Sequence, residues 1–143
     1  MLRLTKADFD ALRAHGEQTY PHECCGVLLG TSDNQGNTVH QTVPAANSRT
    51  DSPHNRYHIA PHELIRIQRL ARQMHLDIVG FYHSHPDHPA QWSSIDLAQA
   101  HWLGCSYVIT AVEQAKAAAT RSFLLSGSGE VDKRFEDEMI GIT

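Results

Sequence analysis

Apolar residues recur along the chain in two rhythms, and the switches between them predict its elements. Over residues 5–19, Phe9, Leu12 and Ala14 fall at helical spacing behind Thr5, a good N-cap, so a first helix is predicted that Pro21 ends. Glu23-Cys24-Cys25-Gly26-Val27-Leu28-Leu29-Gly30 is a continuous apolar run bounded by glycine, which predicts a buried strand with an acid at its mouth. The turn-forming residues 32–37 separate it from a second strand over 38–43, so the pair predicts a hairpin. Residues 44–55 are polar and irregular and predict a surface loop, with a short strand over 56–59 beyond it. Pro61 then opens a second helix, in which Leu64, Ile67, Leu70, Ala71 and Met74 recur at three and four while Arg66, Arg69 and Arg72 lie on the wet side.

The run Ile78-Val79-Gly80-Phe81-Tyr82 centres a strand predicted from residue 77 to about 83, and Pro86 is expected to stop its ladder. A polar loop leads to Ser93 and Ser94, which start a third helix over 93–103 with Leu97, Ala98 and Ala100 on its inner side and Gly104 as its C-terminal cap. Residues 105–112 and 121–125 read as strands that pair across 113–116, whereas Ala117-Ala118-Ala119 fits strand or helix. A turn over 126–129 precedes a closing strand or helix over 131–140. With 143 residues, no repeat and no linker, the chain is expected to be one domain over 1–143.

Composition narrows the function classes. A formal charge of −4 and a pI near 6.2 supply no basic field, so nucleic acid is not an expected partner. No apolar run approaches the roughly twenty residues of a membrane span, and Met1-Leu2-Arg3-Leu4-Thr5-Lys6 leads into an amphipathic pattern rather than a signal peptide, so a cytoplasmic location is expected. Three cysteines make neither a disulfide framework nor a four-cysteine zinc site. Cys24 and Cys25 face opposite sides of their strand, and at least one reads as a small buried hydrophobe. The marked bias is histidine, with eleven.

Two of those histidines carry candidate chemistry. If the central strand continues as far as His85, His83 and His85 alternate along it and can present their imidazoles to one point. Asp96 falls in the first turn of the helix that follows. Two neutral imidazoles and a carboxylate suit zinc, with a fourth position open to water, as in catalytic sites. Each half also has a plainer explanation: backbone groups satisfy strand-end histidines, and Ser93-x-x-Asp96 is itself a capping-box signature. His88 extends the pattern to a three-histidine alternative. Glu23, the acid at the mouth of an apolar strand, is the candidate proton acceptor, although spacing alone leaves it an ordinary exposed acid.

Taken together, Glu23 with Cys25-Gly26-Val27-Leu28-Leu29-Gly30, then His83-Ser84-His85-Pro86, then Ser93 and Asp96, resembles the JAMM (MPN-plus) zinc metalloproteases, most closely the short bacterial members that act on ubiquitin-like sulfur-carrier proteins. The resemblance implies an α/β fold, a mixed and mostly antiparallel sheet flanked by helices, cytidine-deaminase-like. It implies one Zn²⁺ held by His83, His85 and Asp96 in preference to His88, with Glu23 acting on the bound water and the Ser93 hydroxyl donating to the developing oxyanion. The implied substrate is a peptide or isopeptide bond after the Gly-Gly tail of a β-grasp carrier, threaded between the 47–57 loop and residues 87–92; a homodimer is left open. One departure is Trp92, where many relatives have proline, and it reads equally as a docking anchor or a ring packed over the loop. A ligand-free scaffold of the same fold and a RadC-like, DNA-repair-associated protein are the alternatives. The intact residue set argues against the first, and the acidic charge with no preceding helix-hairpin-helix region against the second. His22, His54, His58, His62 and His101 read as surface or hydrogen-bonded histidines, and Cys25 lacks an activating base for a nucleophile.

Overall fold

Residues 1–49 and 56–143 are described by a computed structural model of the chain. Its elements are β1 (Leu2–Leu4), α1 (Lys6–Thr19), β2 (Cys25–Asp33), β3 (Gly36–Ala45), α2 (Pro61–Gln73), β4 (Asp77–Pro86), α3 (Ser94–Gln99), β5 (Ser106–Glu113), β6 (Lys116–Ser126), β7 (Arg134–Glu138) and β8 (Ile140–Ile142). Among the described residues the strands form one mixed sheet in the order β7-β6-β5-β4-β2-β3-β1-β8. The β2–β3, β2–β4, β5–β6 and β6–β7 pairs are antiparallel, while β4–β5, β1–β3 and β1–β8 are parallel.

The sheet centre is apolar on both sides because helices cover both. On one face Cys25, Val27, Leu29 and Phe81 pack with Ile67 and Ala71 of α2; on the other, Cys24, Leu28 and Tyr82 pack with Leu12 of α1 and Leu2 and Leu4 of β1. Burial on both faces is why β2 reads as a continuous hydrophobic run rather than an alternating one. Adjacent Cys24 and Cys25 are therefore both buried, one in each core. The Thr5 side chain caps α1 by accepting from the Asp8 N–H, and Pro61 stands at the start of α2, as the sequence predicts.

Several boundaries differ from expectation. Residues 56–59 form no strand: the His58 N–H donates to the Asn47 side chain and the His58 carbonyl accepts from the Ser48 N–H, so their backbone bonds go to a loop rather than to a ladder. β4 continues through His85 to Pro86, where the register with β2 has already ended at His83 and only β5 flanks the strand, a setting that tolerates a missing N–H. Helix α3 stops at Gln99, short of residue 103, and leaves Ala98 exposed. Lys133 Nζ donates to the Ala98 and Ala100 carbonyls there, satisfying part of the helix end, and Gly104 (φ 84°) instead turns the chain into β5. The alanines 117–119 belong to β6, joined to β5 by a tight turn in which Gln114 and Ala115 both have positive φ (48° and 70°), the geometry of primed hairpin turns without their usual glycine. Residues 131–140 supply β7 and the start of β8, and β1 has no counterpart in the sequence reading.

Gly26 of β2 sits beneath the Tyr82 ring, where an added Cβ would lie 2.1 Å from a ring carbon. Gly26→Ala should displace that ring from its 2.7 Å contact with His15 Nδ1 and destabilise the protein by about 1–3 kcal/mol, seen as a lower urea midpoint at unchanged slope.

Candidate metal centre

His83 and His85 lie on the α2 side of β4, and Ser84 between them points to the other face. There its hydroxyl accepts from the Cys24 N–H (2.8 Å) while the Ser84 N–H donates to the Cys24 carbonyl (3.3 Å). These bonds extend the β2–β4 register, in which Cys25 faces His83, and bring Glu23 to the level of His85. Glu23 is 5 % exposed, so the expectation of an ordinary exposed acid does not hold. It shares the wall of a cavity of about 330 Å³ with His85, Ser93 and Asp96.

Asp96 arrives from the first turn of α3, where a capping box fixes it: the Ser93 hydroxyl accepts from the Asp96 N–H (3.1 Å), and Asp96 Oδ2 accepts from the Ser93 N–H (2.8 Å). The same carboxylate lies 3.4 Å from His83 Nε2 and 3.3 Å from His85 Nε2, and the two Nε2 atoms are 3.1 Å apart. One ligand atom from each of the three residues falls within 4.8 Å of the others. A tetrahedral zinc site with bonds of about 2.0–2.1 Å has ligand–ligand edges of about 3.3 Å, so the donor set has the size as well as the chemistry for that ion. His85 Nδ1 is 2.8 Å from the Pro89 carbonyl, which places its N–H there and leaves the Nε2 lone pair toward the cluster. His83 stacks on Tyr57 at 4.6 Å, and its buried Nδ1 has no partner among the described residues.

The electrostatics follow from burial and from these contacts. Burial works to raise the Asp96 carboxyl, but the His83 and His85 contacts and the Ser93 N–H outweigh it and hold the group well below the usual carboxylate range. Burial lowers His83; at His85 it is overcome by Asp96 and the Pro89 carbonyl, and the net shift is upward. Glu23 is pushed up to about 8, above all by burial, with opposing pulls from His85 and Arg56.

Other candidates separate cleanly. His88 lines the cavity but stands outside the ligand cluster. Trp92 is half-buried with its ring 5.5 Å from that of Phe135, so it is packed over the sheet. His22, His58, His62 and His101 are exposed, and His54 lies outside the described residues. Burial raises the thiols of Cys24 to about 11 and of Cys25 and Cys105 to about 12, which leaves them inert as nucleophiles. The sequence reading missed Ser84 and Tyr57 as individual residues, although the place of Ser84 between two alternating histidines was a signal that it faces the other side.

Residues 5–126 match the family of prokaryotic homologs of the JAB domain. The chain belongs to this JAB (JAMM/MPN) family. It is 38 % identical over 89 residues to a desampylase from Haloferax volcanii, a match that covers 62 % of this chain and 62 % of that protein. It is 28 % identical over 131 residues, 92 % of the chain and 80 % of the relative, to a probable TtuB-protein conjugate cleaving protease from Thermus thermophilus. A JAB1/MPN domain protein from Archaeoglobus fulgidus superposes with a TM-score of 0.61 over 100 % of this chain and 97 % of its own, at 11 % identity, and shares the fold. The JAB match bears out the family resemblance and the mixed α/β fold read from the motifs.

A buried acid that keeps its proton to about pH 8 when folded, against an ordinary value of 4.5, binds more protons folded than unfolded across that window. Stability of the chelator-treated JAB domain should therefore fall as pH rises from about 4.5 to about 8 on account of Glu23. Denaturant titrations at pH 5 and pH 8 should show Glu23→Gln removing about 3 kcal/mol of that decline; an unchanged pH slope in the variant would contradict the burial of this carboxyl.

Proposed function

We propose that the chain is a zinc-dependent metallopeptidase, acting as one domain, which hydrolyses a peptide or isopeptide bond after the C-terminal Gly-Gly of a ubiquitin-like protein of the sulfur-carrier type. One observation carries the reading: Glu23, some sixty residues earlier in the sequence, lines a single cavity with His85, Ser93 and Asp96, with buried His83 3.1 Å from His85. The names of two relatives, a desampylase and a probable conjugate-cleaving protease, support a carrier conjugate as the substrate.

In this reading His83 and His85 hold the ion through Nε2 and Asp96 through a carboxylate oxygen. When bound, zinc supplies Lewis acidity for water and the scissile carbonyl and, by its charge, favours the ionised form of Glu23. Glu23 takes a proton from the attacking water and delivers it to the departing nitrogen. Ser93 donates to the carbonyl oxygen as it becomes an oxyanion; its Oγ already accepts from the Asp96 N–H, which fixes the oxygen and leaves its proton for that donation. The cavity is at the small end of ligand sites, about 300–1,000 Å³, and suits a thin glycine tail rather than a folded body. Three unpaired, buried cysteines fit a reducing cytoplasm, and among the described residues no helix is long and apolar enough to cross a membrane.

The test is hydrolysis of a β-grasp carrier extended beyond its Gly-Gly end, with zinc content measured in parallel. Glu23→Gln should keep one zinc per chain and lose about 10²–10⁴-fold in turnover. His85→Ala should lose both metal and activity. Equal turnover in all three proteins would overturn this mechanism, whereas a zinc-free parent that still binds the carrier would point to a binding scaffold instead.

A further inference from the structure

Arg56 is the one lysine or arginine among the described residues that line the metal cavity, where it stands with Glu23, His85, Ser93 and Asp96. It is half-buried, and among the described residues no carboxylate forms an ion pair with it. Its charge is near enough to oppose the upward shift of Glu23.

Its place is built rather than incidental. The Asn47 side-chain amide donates to the carbonyls of Glu23 (3.3 Å) and Arg56 (3.0 Å) and accepts from the N–H groups of Arg49 (3.0 Å) and His58 (3.1 Å), which commits both donors and the carbonyl oxygen of that one side chain. One amide thus ties the backbone of the acid to the backbone of the arginine. Tyr57, the next residue, stacks on His83. The backbone of Arg56 is thus tied to that of Glu23 and runs directly into the residue stacked on His83.

A guanidinium that pairs with no described carboxylate, in a small cavity whose described lining carries the carboxylates of Glu23 and Asp96, is complementary to one further anion, and its planar fork matches a carboxylate in particular. Resting on the hydrolase reading above, we propose that Arg56 binds the free α-carboxylate of a short leaving group, a single amino acid or short peptide joined to the carrier's Gly-Gly end. Asn47 is the positioning residue that sets Arg56 beside Glu23. A lysine side chain of a folded protein carries no such carboxylate at that distance from its bond, so the assignment selects terminal carrier adducts over protein isopeptides as the preferred substrate.

The experiment uses a β-grasp carrier ending in Gly-Gly extended by one alanine, prepared as the free acid and as the C-terminal amide. The parent should cleave the acid about tenfold to a hundredfold better in kcat/KM, chiefly through KM. Arg56→Gln should lose the same factor on the acid, and the amide in Arg56→Gln should cost no more than either change alone, with Arg56→Lys between them. In a Glu23→Gln background calorimetry should show the same preference as affinity for the uncleaved acid. Equal cleavage of acid and amide by the parent overturns this inference and leaves the hydrolase reading intact. An equal loss on both in Arg56→Gln also overturns it, because the guanidinium then serves a main-chain carbonyl. Cleavage of neither substrate overturns both readings.

Discussion

The antiparallel register that sets Cys25 opposite His83 is the constraint on which the site depends. It fixes which residues of β4 face α2, and its continuation through the Ser84–Cys24 bonds carries Glu23 to the level of His85. A shift of one residue would either turn both histidines toward α1 or exchange the environments of Cys24 and Cys25. The two buried cores, each claiming one of the adjacent cysteines, make such a shift expensive. Ordinary hydrophobic packing therefore maintains the geometry of the cluster.

Asp96 shows how one short motif serves two ends. A capping box and a metal ligand are competing explanations of Ser93-x-x-Asp96 when only spacing is considered. The structure has the box and a geometry compatible with the ligand at once: Oδ2 closes the box with the Ser93 N–H while the carboxylate faces both imidazoles. The cap holds the side chain in one rotamer, which would reduce the entropy lost if the carboxylate bound an ion. Lys133, reaching the carbonyls of Ala98 and Ala100 from the loop before β7, performs the matching task at the other end of this six-residue helix.

Much of this was legible in the sequence because it depends on local pattern. The amphipathic helices, the continuous run of β2 and the alternation of His83 and His85 all follow from side-chain periodicity, and each is present as expected. What escaped depends on partners distant in the chain. Strand β1 is three residues long and exists because β3 and β8 flank it. The early stop of α3 and the extension of β4 to Pro86 are set by Lys133 and β5, which no window around residues 86–103 contains. The burial of Glu23 is of the same kind, since the preceding Pro21 and His22 are exposed and residues far away in the chain, from β4, α3 and the Arg56–Tyr57 segment, line its cavity.

The loop after β3 completes this division of labour. Its composition reads as polar and irregular, which by local criteria marks a solvated connection, yet Asn47 spends its whole hydrogen-bonding capacity on four backbone groups at the edge of the cavity. An aspartate there would lose the two donors that hold Glu23 and Arg56, and a leucine of similar volume would lose all four bonds. The amide is the side chain that can both give and accept two hydrogen bonds from one short stem. Polarity in this segment is therefore part of how the acid, the arginine and the stacked Tyr57 come to face one hollow, just as apolarity in β2 is part of how the histidines do.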